Sequence, residues 1–172
     1  SLVLMPELEL HFKKISSTDD LTVLIPDMGS SKLGQSYAKG LGMSFALIDK
    51  RRNAHNQSEV VSVVGELENQ HVLIIDDMID TAGTISNAAQ VAKDKGALTV
   101  TVAATHGILS ANAIERLSND TIDHIFITDT IDMSHIKDCS KLKTISSAKI
   151  FAETINRIHN GESVSQLFRK VT

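Results

Sequence analysis

Residues 72–84 read VLIIDDMIDTAGT. Val72 to Ile75, following the polar pair Gln70-His71, have the apolar character of a short buried strand. Asp76 and Asp77 come at its end, Asp80 opens a loop of small residues (Thr81, Ala82, Gly83, Thr84), and ISNAAQVAKDKGA then reads as a helix. This order of strand, acidic edge, small-residue loop and helix builds a ligand cradle at the carboxyl end of a parallel strand. Backbone N–H groups of such a loop and the helix N-terminus favour a phosphate, and threonine hydroxyls add hydrogen bonds. The carboxylates would repel that phosphate unless they hold something else, such as sugar hydroxyls or magnesium. Capping of a solvated strand end and a helix start is the plainer alternative. Three carboxylates in five positions, followed by a TAGT loop, are more than capping requires.

The rest of the chain repeats the alternation. Strands are expected at LTVLIP (21–26), SFALID (44–49), HVLIID (71–76), LTVTVAATH (98–106), HIFITDT (124–130) and LKTISS (142–147). Helical segments lie between and after them: SSKLGQSYAKGLG, the segment 85–95, ANAIERLSND and AKIFAETINRIHNG. Apolar residues recur in these at helical spacing, as with Ile150, Ile155 and Ile158, and Gly42, Gly96 and Gly161 stand where helices should stop. Near-continuous apolar strands joined by helices predict an α/β fold, a mostly parallel sheet with helices on both faces. At 172 residues one domain, 1–172, accounts for the chain. With no Trp, its core must be aliphatic. The polar stretch DKRRNAHNQSE (49–59) is expected to be a mobile loop.

Composition excludes some partners. A net charge of -4 leaves no basic footprint for nucleic acid. No apolar run is long enough to span a bilayer, and SLVLMPELEL lacks the charged start and long apolar core of a signal peptide. The lone Cys139 cannot form an internal disulfide, which points to a reducing, cytoplasmic setting.

Several blocks, in order along 24–168, resemble the ribose-phosphate pyrophosphokinases, also called phosphoribosyl diphosphate (PRPP) synthetases. The 76–84 segment is similar to the PRPP-binding motif of the phosphoribosyltransferase fold. PDMGSSKLGQSYAKGLG (26–42), IDKRR (48–52), ATHGILS (104–110), AIERL (113–117) and HNGESVSQLF (159–168) resemble further blocks of the synthetases themselves. The resemblance implies transfer of pyrophosphate from ATP to the anomeric hydroxyl of ribose 5-phosphate. It implies Asp76, with Asp77 sharing the task, on the ribose hydroxyls, and Asp80, Thr81, Ala82, Gly83 and Thr84 as the phosphate loop. It implies Asp27 as a ligand of Mg2+, and Lys50 and Arg52 as catalytic cations on a flexible loop. Ser163, Ser165 and Phe168 resemble an effector site between subunits of a homo-oligomer. His106 and Asp129 end strands and receive no firm role.

Some features depart from the family pattern. Gly29-Ser30 replaces a glycine pair, and Ser110-Ala111-Asn112 stands where Ser-Gly-Pro is common. The resemblance covers only the carboxyl-terminal half of a two-domain enzyme. The opening SLVLMPELELHFKKIS has no Met start and resembles a continuation from an upstream domain, so the ATP-contacting half is expected to be missing. Two other functions compete: a phosphoribosyltransferase joining a base to PRPP, and a non-catalytic relative of the synthetases. No hood for a base is evident, and retention of Lys50, Arg52, Asp76 and Asp80 speaks against the second.

Overall fold

The computed structural model describes residues 3–15, 20–51, 60–134, 136 and 139–168. Seven strands form one sheet: β1 (Leu21–Ile25), β2 (Ser44–Arg51), β3 (Val60–Val64), β4 (His71–Ile79), β5 (Thr99–Gly107), β6 (His124–Thr128) and β7 (Leu142–Ile145). Their spatial order is β3-β2-β1-β4-β5-β6-β7. All pairings are parallel except that of β2 with β3. The helices are α1 (Leu4–Phe12), α2 (Ser31–Leu41), α3 (Gly83–Asp94), α4 (Ala113–Leu117), α5 (Ala148–His159) and α6 (Ser165–Phe168).

Alternation along the strands produces two cores, one on each face of the sheet. Leu24, Ile74, Val102 and Ile127 point to one side, where α3 adds Ile85, Ala88, Ala89 and Ala92, and α4 adds Ala113 and Leu117. Val23, Leu73, Ala103 and Phe126 point to the other, beneath Leu4, Leu8 and Phe12 of α1 and Tyr37 and Ala38 of α2. The small α3 side chains allow that helix to lie close on the sheet. Closer still is α2, since a Cβ on Gly34 would sit 2.6 Å from Ile25 Cγ1. Gly42 then ends α2 at φ 67°, and the Met43 N–H returns to the Ala38 carbonyl at 2.9 Å, closing the last turn.

Three expectations are revised. SLVLMPELELHF holds a helix, α1, whose Leu4, Met5, Leu8 and Phe12 are core residues. Val60–Val64 form an antiparallel edge strand directly after the polar stretch. The strand expected to end at Asp76 continues to Ile79, because β5 goes on pairing with it (Met78 with His106, Ile79 with Gly107). The two adjacent aspartates therefore lie within β4.

His11 ties α1 to the sheet. Its Nε2 lies 3.2 Å from the buried Thr101 Oγ1, and its ring packs edge-on against Phe12, His124 and Phe126. Burial, then the charges of His124 and Lys143, lowers its pKa from 6.5 to about 4. A neutral His11 favours the fold fully above pH 6.5, and that contribution is lost as pH falls toward 4, where the unfolded chain binds a proton the native one refuses. Urea midpoints are expected to decline across that window, and His11→Asn to flatten the decline. Parallel curves for the two proteins would show that other groups set it.

Candidate functional site

Strand order reverses direction between β1 and β4: the chain proceeds from β1 outward to β2 and β3, then returns to place β4 on the other side. Helices following strands on either side of such a point diverge and leave a crevice at the carboxyl ends. Here the crevice is deepened by unequal strand lengths. Pairing of β1 with β4 stops at Leu24 and Ile74, while β4 runs on to Ile79 with β5 as its remaining neighbour. A cleft of about 520 Å³ results, lined by Asp27, Gly29, Ser30, Leu33, Asp76 and Asp77.

Asp27 follows β1 and caps the short 3-10 turn Met28–Ser30, its Oδ1 accepting from the Ser30 N–H at 3.1 Å and the Ser30 hydroxyl at 3.4 Å. The serine that departs from the glycine pair thus helps hold the aspartate. Asp76 is half-buried and accepts the Asp77 N–H at 2.9 Å. Burial raises its pKa from 3.8 to about 6; the Asp77 N–H works against the rise, and the negative charges of Asp77 and Asp27 add to it. A cation or hydroxyl donors placed in the cleft would relieve that crowding.

The loop beyond is held by groups from another part of the chain. Ser110 Oγ donates to Asp80 Oδ1, and its N–H donates to the Asp80 carbonyl at 3.0 Å. The N–H groups of Ile108 and Leu109 both donate to the Ile79 carbonyl, and Arg116 Nη1 donates to the Thr81 carbonyl at 2.7 Å. Ala82 sits at φ 60°, ψ 11°, a left-handed conformation disfavoured for an L-residue by about 1–2 kcal/mol. Its methyl group offers no side-chain cap to the first N–H groups of α3, at Gly83, Thr84 and Ile85. Thr81 and Thr84 are exposed beside them. These donors, the dipole of a 12-residue helix and the nearby guanidinium suit an anion.

Sequence reasoning assigned no part to Ser110 or Arg116. The signal was present in ATHGILS and AIERL, but a contact spanning 30 or 35 residues is not readable from spacing. Arg116→Ala is expected to weaken phosphate binding about 5-fold, the size of one hydrogen bond worth about 1 kcal/mol. Calorimetric titration with inorganic phosphate checks this, and unchanged affinity would detach Arg116 from the loop's function.

Lys50 lies on β2 opposite Val61, three positions past the last β1–β2 pair, so its backbone stands beyond the end of β1 that Asp27 follows. Its side chain, Arg52, and the remaining loop to residue 59 lie outside the described residues. At the other end, Ser163 and Ser165 meet with their hydroxyls 2.7 Å apart, while the Phe168 side chain also lies outside the described residues. His106 Nδ1 is 2.8 Å from Thr130 Oγ1. Asp129 has a structural part: it accepts from the Ser147 N–H and from the hydroxyls of Ser146 and Ser147, and these bonds hold its pKa down at about 2.

Mg2+ keeps several waters and commonly takes one or two carboxylates together with substrate phosphates. Among the described residues no three His, Cys, Asp or Glu side chains form a metal cage. A cleft with hard carboxylate oxygens from Asp27, Asp76 and Asp77, one of them at raised pKa, nevertheless suits such a partly hydrated ion.

Known proteins share this framework. The ribose-phosphate pyrophosphokinase of Chlorobaculum tepidum is 44% identical over 158 residues, covering 92% of this chain and 49% of the relative. That of Caldanaerobacter subterraneus subsp. tengcongensis is 43% identical, covering 95% and 52%. The crystal structure of phosphoribosylpyrophosphate synthetase from Mycobacterium smegmatis superposes with a TM-score of 0.80 at 30% identity, over 91% of this chain and 51% of that one. A phosphoribosyltransferase from Giardia lamblia, at TM-score 0.54 and 18% identity over 83% of this chain and 76% of that one, shares the fold. The chain spans about half the length of the curated relatives it matches. A family described as the phosphoribosyl synthetase-associated domain matches residues 51–169, well over half of the sequence, and to that family the chain belongs.

Proposed function

We propose that this chain is the ribose 5-phosphate- and PRPP-binding part of a ribose-phosphate diphosphokinase. The observation that carries the reading is the meeting of Asp27 with Asp76 and Asp77 in one cleft at the β1–β4 crevice, next to an anion-suited loop. In this reading loop 80–84 and the α3 N-terminus hold the sugar's 5-phosphate, and Asp76, with Asp77, accepts hydrogen bonds from the ribose hydroxyls. Asp27 would hold Mg2+, which when bound would neutralise charge on the ATP phosphates. The anomeric oxygen then attacks the β-phosphorus of ATP and loses its proton, the bond from that phosphorus to the oxygen bridging the α-phosphate breaks, and AMP leaves. Lys50 and Arg52 close over the transferring group and offset its charge.

The matching stretch of the named synthetases supports this above a base-transferring enzyme, since likeness to the transferases is confined to the fold. Most ATP contacts are assigned to the part of the relatives that this chain does not span. Calorimetry of the chain with Mg2+ tests the proposal: ribose 5-phosphate and PRPP should bind and unphosphorylated ribose should not. Equal affinity for the phosphorylated and plain sugars would sink the phosphate-loop assignment. Release of diphosphate from PRPP and a base would favour the transferase.

Ser163, Ser165 and Phe168 are carried as a proposed effector site, and a homo-oligomer and a cytoplasmic location as parts of the same reading. No helix among the described residues is long and apolar enough to cross a membrane.

A further inference from the structure

A second cavity lies at the other end of the sheet from the cleft. The cleft opens at the carboxyl ends of parallel strands, whereas Asp123, His124, Lys141 and Leu142 of this cavity come at the amino ends of β6 and β7, facing α1. It holds about 470 Å³. Its wall joins two kinds of surface. Leu10, Phe126 and Leu142 are apolar, and the rings of His11 and His124 meet edge-on with centroids 4.6 Å apart. Lys14, Lys141 and Lys143 bring positive charge, with the Lys143 ammonium 5.5 Å from the centre of the Phe126 ring. None of these residues takes part in the candidate site.

Two carboxylates also reach the cavity, and both are engaged. Glu7 takes the Lys143 ammonium at 2.9 Å. Asp123 accepts from Lys93, which stands outside the wall, at 3.0 Å and from the Val100 N–H at 2.7 Å. The other two lysines pair with no carboxylate among the described residues. Lys141 donates to the carbonyls of Ser118 and Asn119, and Lys14 is exposed just beyond α1. The surplus is felt inside: burial first, then the charges of His124, Lys143, Lys14 and His71, hold the His11 pKa at about 4. At neutral pH the His11 ring is therefore uncharged, an apolar surface beside uncompensated ammonium groups.

We propose that this cavity binds a small phosphate monoester with an apolar body, its phosphate on Lys14 and Lys141 and its body over Leu10, Leu142 and the paired imidazoles. Two lysines without acidic partners call for about two negative charges, which a phosphate monoester carries near neutral pH and a carboxylate does not. The apolar part of the wall calls for the body: Leu10 is 56% exposed, and a bare anion would leave it in water. The volume falls within the roughly 300–1,000 Å³ of small-molecule sites. Because α1, β6 and β7 all contribute, a bound ligand ties the helix to the sheet, adding to the contact of His11 with Thr101. It should therefore raise the thermal midpoint. The cavity shares no residue with the cleft, so the proposal is independent of the sugar reading.

Phenyl phosphate is the probe, and the imidazole signals of the 172-residue chain in NMR are the readout. The His11 and His124 signals, identified with His11→Asn and His124→Asn, should shift saturably as the probe is added. Inorganic phosphate, which lacks the body, and benzyl alcohol, which lacks the charge, should each bind at least about 10-fold more weakly. Lys14→Glu should weaken the probe by about 10-fold or more. Lys13→Glu makes the same change of charge one residue away, at a side chain paired with Glu9 and outside the cavity, and should leave the affinity within about two-fold. Both lysines are exposed, so circular dichroism of the two variants should match that of the parent. Shifts confined to other signals would put the probe at the phosphate loop alone and overturn the proposal. Equal losses from the two lysine substitutions, or inorganic phosphate binding as tightly as phenyl phosphate, would overturn it too. Failure of sugar binding in the cleft leaves this result untouched, and the reverse holds.

Discussion

Asp76→Asn should weaken ribose 5-phosphate binding about 10- to 100-fold while making the empty protein more stable at neutral pH. The two effects share one cause. Asp76 is half-buried beside Asp77 and Asp27, and its pKa stands at about 6 instead of 3.8. A carboxylate raised in this way favours folding fully below the unfolded value, and that advantage disappears as pH rises from about 4 through about 6, where the native carboxyl gives up its proton. Asparagine has nothing to ionise, so wild type should lose stability across that interval relative to the variant. The affinity loss follows from replacing charge-assisted hydrogen bonds, worth about 1.5–3 kcal/mol, with neutral ones. Calorimetry at pH 7.5 and urea titration at several pH values read the two effects separately. A variant that binds sugar normally would remove Asp76 from the ribose site, whatever its stability.

Lys50→Ala carries the other large effect, on turnover. In an assembled enzyme containing both halves, kcat should fall about 100- to 1,000-fold, the usual loss when one donor to a transition state is removed. The affinity for ribose 5-phosphate, measured without ATP, should stay within a factor of about two, because in the proposed reading the lysine acts on charge that develops during transfer. Its backbone position supports this. The β2–β3 hairpin runs beyond the end of β1, on the side where Asp27 and the overhang of β4 enclose the cleft. A parallel loss of sugar affinity would place Lys50 at the sugar instead of the transferring phosphates.

Much of this was legible in the residues. Apolar strands separated by helical periods gave the parallel sheet, and of the acidic edge after Ile75 the structure places Asp76 and Asp77 in the crevice, while Asp80 is held by Ser110. What stayed hidden depended on contacts distant in sequence. Asp76 and Asp77 read as a strand end, whereas pairing of β5 with β4 extends the strand past them. Val60–Val64 followed a polar run and had no alternation to announce an edge strand, so only pairing with β2 defines it. The α1 segment, with Pro6 in its first turn and a polar Glu9, is settled by Leu4, Leu8 and Phe12 sinking into the sheet. For α5 the helix was expected, but its stripe was misread: Ile150, grouped with Ile155 and Ile158, lies on the more sheltered side, and Phe151 stands with the two exposed isoleucines. Ile155 and Ile158 face outward. Ser110 and Arg116 were missed because their partners, Asp80 and Thr81, are reached only through the fold.

The pairing of β1 with β4 also sets when the cleft comes into being. Thr22 and Val72, neighbours across that pair, are fifty positions apart in the chain, and β2 and β3 intervene. Such long closures carry a larger entropic cost than local turns, so Asp27 and Asp76 are expected to meet after local turns have formed. In the proposed reading a chain that lacks this pairing lacks the sugar site. Ligand recognises the finished sheet alone, and a sugar phosphate present at a hundred times its Kd should add about 2.7 kcal/mol to global stability. Thermal midpoint then serves as a gauge of occupancy. A methyl on Gly34, next in sequence to the cleft residue Leu33 and pressed against Ile25, should lower apparent affinity by leaving fewer molecules with their central strands joined.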